Sequence, residues 1–291
     1  MLKSRVGVKR STSLFFWLAG LLALLPAPLA AEPQALEIAI FPYLSTRTLL
    51  TRFQPLQAYL EKKLQRPVLL VTAPDFRSFA ERTQRGEYRY VVTAPHFARL
   101  AQKEAGYQSM LVVKANLVAV AVVEKNSPLR NVAELRGKTV AVPDPLAIVS
   151  MLGAQMLRAN GLVPGKDVIL RPALSHNSAV LSVLRGESAA AFASATALEQ
   201  MPEEIKNGVR VLAATEGFPN VMYLANPKVP IEEVAQMTAT LLEFAEKTAE
   251  GKKLYYVDTL GHQGLVVPSP KELQRLDPFV DELKALLVQP R

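Results

Sequence analysis

Between residues 36 and 225 the chain alternates short, strand-forming apolar runs with stretches whose apolar residues recur at helical spacing, and after a polar break the alternation starts again. That rhythm restricts the fold more than any other feature, because strands separated by helices are the signature of α/β layers. In the first set, Leu36 to Phe41 reads as a strand ended by Pro42. Leu49, Leu50, Phe53, Leu56, Leu60 and Leu64 can share one helix face. Pro67 to Thr72 is apolar throughout, as expected of a strand covered on both faces. Asp75 can cap a helix over Phe76–Arg85, Tyr88 to Thr93 is a third strand, and a helix opens at Pro95. Strand-like runs Met110–Val113 and Leu117–Val123 complete the set.

The polar stretch Lys125-Asn126-Ser127-Pro128 separates this set from the next. There strands are expected at Lys138–Val142, Asp167–Leu170, Ser188–Ala193 and Val209–Ala213, with helices at Ala147–Asn160, His176–Arg185 and Ala195–Lys206. Val221–Ala225 is a further strand, and from Ile231 onward the pattern is mostly helical. The expectation is two α/β lobes, each a mostly parallel sheet flanked by helices. Lobe 1 takes 32–122 plus 222–291 and lobe 2 takes 123–221, so the chain crosses twice and makes a double hinge. Ligands of open α/β sheets sit at the carboxyl ends of strands, facing such a crevice.

The first 31 residues have a different character. Lys3, Arg5, Lys9 and Arg10 precede the apolar run Leu14–Leu25, Pro26 and Pro28 break it, and Ala30 and Ala31 follow. This is the pattern of an export signal cleaved near Ala30 or Ala31, with an apolar run shorter than the ~20 residues of a spanning helix. The protein is therefore expected in the periplasm. The chain has no cysteine, which excludes a lipid-anchored cleavage site, disulfides, thiolate metal ligands and cysteine nucleophiles. Its formal charge is +8, but four basic and no acidic residues lie in the leader, leaving +4 for the mature chain. That balance, with no block of interleaved basic and aromatic residues, argues against nucleic acid as a partner.

The ordered segments FPYLS, PLQAYLEKKLQRPVLL, VVTAPHFARLA, NVAELRGKTVAVPDP, LSHNSAVLSVLRGE and VRVLAATEGFPN run from about Leu36 to Pro219. Together they resemble the phosphate/phosphite/phosphonate-type substrate-binding proteins of ABC importers. The resemblance implies a Venus-flytrap (type 2 periplasmic binding protein) fold that holds a small ligand between its lobes, without catalysis and without a cofactor. It implies ligand contacts by Tyr43 in PYLS, by His96 or Phe97 where the family often has an aromatic after the stretch that reads Ala94-Pro95 here, and by His176 in the LSH segment. After Asp144-Pro145 the family places hydroxyl side chains at a helix start, whereas this chain has Ala147, Ile148 and Val149. Backbone N–H groups and the helix dipole would still favour an anion there. The side-chain donors are replaced by hydrocarbon, so the anion site is expected to be altered, with Ala147 and Ile148 as walls. Ser194 and Thr196, at a helix start after a strand, and Asn220 are further candidates. Arg47 could supply charge but reads more simply as a solvated first-turn residue.

The three histidines, His96, His176 and His262, have no metal-ligand spacing, and His262 sits in a loop-like LGHQG segment. No nucleophile elbow, P-loop or dinucleotide fingerprint is present. The expectation is a solute-binding protein serving a membrane ABC permease, its ligand small and part-apolar, an anion being one candidate. A rival reading is a sensory or interaction module that signals to a membrane-bound kinase or cyclase without transport. An enzyme on the same fold, of the pyrimidine-precursor synthase kind, is opposed by the missing cysteine and the export signal.

Overall fold

A computed structural model describes residues 35–44, 46–199, 201–257 and 261–289, with residues 1, 2 and 7; for 256, 257, 261 and 262 it describes the backbone. The expected leader lies almost wholly outside these residues. No described helix is long and apolar enough to cross a membrane.

The first strands and helices are β1 (Leu36–Ile40), α1 (Thr46–Leu64), β2 (Val68–Val71), α2 (Phe76–Gln84), β3 (Tyr90–Thr93), α3 (Pro95–Ala105) and β4 (Gln108–Val113). Next come β5 (Ala119–Glu124), β6 (Thr139–Val142), α4 (Ile148–Ala159), β7 (Ile169–Pro172), α5 (His176–Leu184), β8 (Ala190–Ser194), α6 (Ala195–Glu199), α7 (Glu203–Gly208) and β9 (Val209–Ala214). The chain ends with β10 (Met222–Ala225), α8 (Ile231–Lys247), α9 (Ala249–Leu254), β11 (Tyr256–Val257), β12 (Gly261–His262), β13 (Leu265–Val266), α10 (Pro270–Gln274) and α11 (Asp277–Leu287).

Besides the two-stranded pair β11-β12, two large sheets form, in the orders β13-β4-β10-β3-β1-β2 and β7-β6-β8-β5-β9. Strand alternation divides each into two apolar faces. In the first sheet Ile38, Ile40, Tyr90 and Val92 meet Leu49, Phe53, Leu56 and Leu60 of α1 and Met237, Leu241 and Phe244 of α8. Ala39, Val91 and Leu224 face the other way, toward Phe79, Phe97, Ala101 and Phe279. In the second sheet Val120, Val122 and Ala191 pack with Val180 and Val183 of α5, while Val140, Val142 and Phe192 pack with Met151, Leu152 and Met156 of α4. Burial on both faces explains why the inner strands read as unbroken apolar runs.

The sheets are mixed: most strands of each run the same way, as expected, and β10, β13 and β5 run against them. β1 pairs in parallel with β2 and β3, and β6 with β7 and β8. β10 is antiparallel to β3 and β4, and β5 to β8 and β9. The cause is the route of the chain. β1, β3, β6 and β8 end at the gap between the sheets, whereas β5 and β10 begin there, so each must run against its parallel neighbour.

The passages between the sheets are residues 114–118 and 215–221. β5 lies wholly in the second sheet, so the expected boundary at 122/123 falls inside a strand and the polar turn at 125–128 follows the crossing. Leu117 and Phe218 exchange backbone N–H···O bonds of 2.8 and 2.9 Å, and Val113 N–H bonds to Val221 O at 2.9 Å. The two passages are thus tied together.

Three further expectations are corrected. The single helix over 195–206 is two, α6 and α7, interrupted before Pro202, which has no N–H to continue a helix. Leu50 points outward while Leu49, Phe53, Leu56 and Leu60 carry the buried stripe. The segment around His262 is a short hairpin, β11 with β12, followed by β13 on the edge of the first sheet.

One close approach fixes α4 on its sheet. A Cβ on Gly153 would lie 2.5–2.8 Å from ring carbons of the buried Phe192. Gly153→Ala gains helix propensity but overpacks this contact, at a typical cost of about 1–3 kcal/mol. Denaturant titration is expected to show a lower midpoint with unchanged slope; an equal or higher midpoint would show that Phe192 yields freely.

Candidate functional site

The segments after β1, β3 and β6, the end of β8, the first turns of α3, α4 and α5 and the second turn of α1 converge on one cavity of about 230 Å³ between the two sheets. A cavity of ~150 Å³ can hold benzene, so this one suits a small organic molecule. All six residues expected at the site, Tyr43, His96, Ala147, Ile148, His176 and Ser194, line it, as do Thr196 and Asn220. Arg47 does not; it is exposed on the first turn of α1. The His262 side chain lies outside the description. Among the described residues no group of three His, Asp or Glu side chains could hold a metal ion.

His96 is the second residue of α3 and is fully buried. Its Nε2 lies 2.8 Å from the carbonyl oxygen of Leu146, in the loop after β6, so this ring joins the two halves of the molecule. A carbonyl can only accept, so Nε2 carries the proton. Burial holds the His96 pKa down at about 4, with the Leu146 carbonyl pulling the other way. The ring is therefore neutral near pH 7, and Nδ1 is a lone-pair acceptor with no hydrogen-bond partner.

His176 opens α5 behind Ser175, which caps the helix and exchanges bonds with Ser178. The cap explains the serines; the histidine is left for the cavity. Its Nδ1 receives the Ser194 N–H at 3.4 Å, which places the proton on Nε2. Burial lowers its pKa to about 4 as well. The Ser194 hydroxyl accepts the N–H of Ala197 at 3.0 Å and caps α6. Ser194 therefore orients His176 and starts a helix.

The start of α4 is walled by Ala147, Ile148 and Val149. Ala147 provides no side-chain cap. Ser150, the only hydroxyl in this stretch, is buried and bonds back to the carbonyls of Pro143 and Asp144 at 3.1 and 3.0 Å. No hydroxyl of residues 144–150 faces the cavity.

Phe41, Tyr43 and Phe76 also line the cavity, with the buried Phe97 behind them. Tyr43 stacks on Phe41 with ring centroids 4.6 Å apart, Phe41 meets Phe76 at 6.0 Å, and Phe76 stacks on Phe97, which touches His96 at 4.4 Å. Tyr223 and Tyr255 also line the cavity, their hydroxyls 2.5 Å apart.

Among the described residues, Arg52 is the one charged residue lining the cavity. It donates to the Leu254 carbonyl at 3.1 Å and has no carboxylate partner among the described residues. Burial raises the Tyr43 hydroxyl pKa, and the neighbouring Arg52 partly opposes that rise. Sequence reasoning missed Arg52, although a signal existed. It stands three residues after Leu49 and four before Leu56, so it shares the helix face that is otherwise apolar.

Two mixed sheets linked by paired passages, with a cavity at their strand ends, define a two-lobed solute-binding protein. The chain belongs to the family described as "ABC transporter, phosphonate, periplasmic substrate-binding protein", whose sequence model matches residues 38–273. It is a family of substrate-binding components of periplasmic transport systems, not of enzymes. Among solved structures, the chain is similar to a binding protein component of an ABC phosphonate transporter from Pseudomonas aeruginosa, with 15% identity, a TM-score of 0.72, and 88% of this chain and 89% of that one covered. PhnD1 from Prochlorococcus marinus in complex with methylphosphonate gives 13% identity and a TM-score of 0.74 over 87% of this chain and 99% of that one. The aliphatic sulphonate binding protein SsuA from Escherichia coli gives 18% and 0.67, over 89% and 95% respectively. At these identities the likeness speaks for the fold.

Both site histidines bind protons less readily folded than unfolded, where the ordinary value is 6.5. The unfolded chain therefore gains protons first as pH falls, and the stability of the neutral pair, full above pH 6.5, drains away toward pH 4. For fully buried His96 the loss is on the order of 3 kcal/mol. Denaturant titrations from pH 7 to 4.5 are expected to show this decline. His96→Gln keeps an N–H for Leu146 but cannot titrate, and should flatten the decline; an unchanged slope would contradict the assignment.

Proposed function

We propose that this protein captures a small organic anion in the cavity between its sheets and delivers it to a membrane ABC permease. The two passages act as a double hinge, with lobes divided close to residues 114–118 and 215–221. Tyr43, His96, Ala147, Ile148, His176 and Ser194 contact the ligand or fix the groups that do. The observation that carries the reading is the cavity's charge balance. The starts of α3, α4 and α5 and one arginine face it, and no carboxylate among the described residues lines it. Helix starts favour negative charge, and a ligand ammonium would find no counter-charge among the described lining residues.

The same lining disfavours alkylphosphonates. A hydrogen bond to a charged group contributes about 1.5–3 kcal/mol. With hydrocarbon at 147–149 and Ser150 bonded inward, a tetrahedral dianion lacks side-chain donors at the start of α4. The lost bonds correspond to several factors of ten in affinity, at ~1.4 kcal/mol each.

In a thermal-shift screen, carboxylates with an apolar body are expected to raise the melting temperature, since ligand near 100 Kd stabilises by about 2.7 kcal/mol. Methylphosphonate should give no shift at the same concentration. X-ray scattering with a stabilising ligand should show a smaller radius of gyration than without it, as hinge closure requires. Strong stabilisation by methylphosphonate would refute the altered anion site, and unchanged dimensions with a tight ligand would refute the hinge.

A further inference from the structure

The polar groups of the cavity are distributed unevenly, and the distribution carries information about the ligand. Arg52 stands at the side formed by Tyr43 and Leu254, where no carboxylate among the described residues lining the cavity opposes its charge. His96 stands at the side formed by Leu146 and Ala147. Its bond to Leu146 O commits Nε2–H, leaving Nδ1 as a buried acceptor without a partner. An unpaired buried acceptor costs about 1–3 kcal/mol, so a bound molecule that donates to it gains that much. Between them the cavity is lined by the rings of Tyr43, Phe41 and Phe76, with the buried Phe97 packed behind Phe76 and His96. A flat body can stack along these rings, opposite the aliphatic wall at Ile148 and Val149.

Building on the ligand-capture reading above, we infer that the cavity selects a planar organic acid whose anionic group pairs with Arg52 and whose distal O–H or N–H donates to His96 Nδ1. The arrangement discriminates twice. A neutral analogue leaves Arg52 without its anion. An acid lacking the distal donor leaves Nδ1 unpaired, and buried polar groups left unpaired are what give a site strong rejection of analogues. Arg52 serves as a charge partner on the first half of the molecule, apart from the start of α4.

The test is calorimetric titration of the mature protein at pH 7 with 3- and 4-hydroxybenzoate, their methoxy counterparts, the corresponding hydroxybenzamides and methylphosphonate. At least one hydroxybenzoate is expected to bind ten-fold or more tightly than its methoxy analogue and than its amide. Arg52→Gln is expected to lower its affinity 10- to 100-fold while leaving the weak amide unchanged. The amide and methoxy comparisons use the unaltered protein, so the assignment can fail even where the variant misfolds. Nitrogen NMR of His96 provides a second readout, since Nδ1 should move upfield on binding the hydroxy acid and not the methoxy acid. Equal affinities for hydroxy, methoxy and amide compounds would overturn the assignment. Tight methylphosphonate binding that is indifferent to Arg52→Gln would overturn it and leave ligand capture standing. Silence from every compound, methylphosphonate included, would overturn both.

Discussion

The two chain passages between the sheets are hydrogen-bonded to one another through Leu117 and Phe218, and much of the molecule follows from that tie. Because both passages cross the gap side by side, one strand must start from the gap in each sheet. β5 and β10 are those strands, and both insert antiparallel among parallel neighbours. The parallel strands then all end at the gap, and the helices that follow them begin there. Convergence of loops and helix starts on one cavity is a consequence of chain routing before any side chain is considered.

Side chains then give the cavity its character. A histidine placed where a helix begins, fully buried and donating to a carbonyl from the other sheet, is held neutral by its surroundings. A second histidine is oriented by a backbone N–H from the adjacent strand end. The result is one buried acceptor and one ring N–H, where two charged imidazolium rings would otherwise repel each other and Arg52. Among the described residues positive charge is concentrated in a single guanidinium, and apart from the histidines, Ser194, Thr196 and Asn220 the lining is mostly hydrocarbon and aromatic. Such a wall favours a ligand that is mostly carbon, with polarity confined to a few points.

Most strands were legible because residues buried on both faces are apolar without interruption, as in Tyr90–Thr93 and Ala119–Glu124. Strand direction was not legible, because an apolar run such as AVAVVE carries no sign of which way its neighbours point. The first crossing was misplaced for a related reason. Lys125-Asn126-Ser127-Pro128 is a polar turn, and polar turns mark any reversal, whereas the true passage contains Ala115 and Leu117, which line the cavity. The expected site residues came together because each lies at or shortly after the end of a strand. Arg52 was overlooked because it sits inside a helix, away from any strand end. Tyr223 and Tyr255 were missed because their approach to the cavity depends on β10 and the segment after α9, whose placement rests on long-range pairing.

The account rests on the claim that this cavity grips a flat organic anion between its aromatic and aliphatic walls. The most direct measurement is a crystal grown with 3-bromo-4-hydroxybenzoate, with the bromine located by anomalous scattering. The account predicts a single strong peak inside the cavity, flanked by Phe41 and Phe76 on one side and Ile148 on the other. A peak outside that cavity, or none within it at saturating ligand, would contradict it.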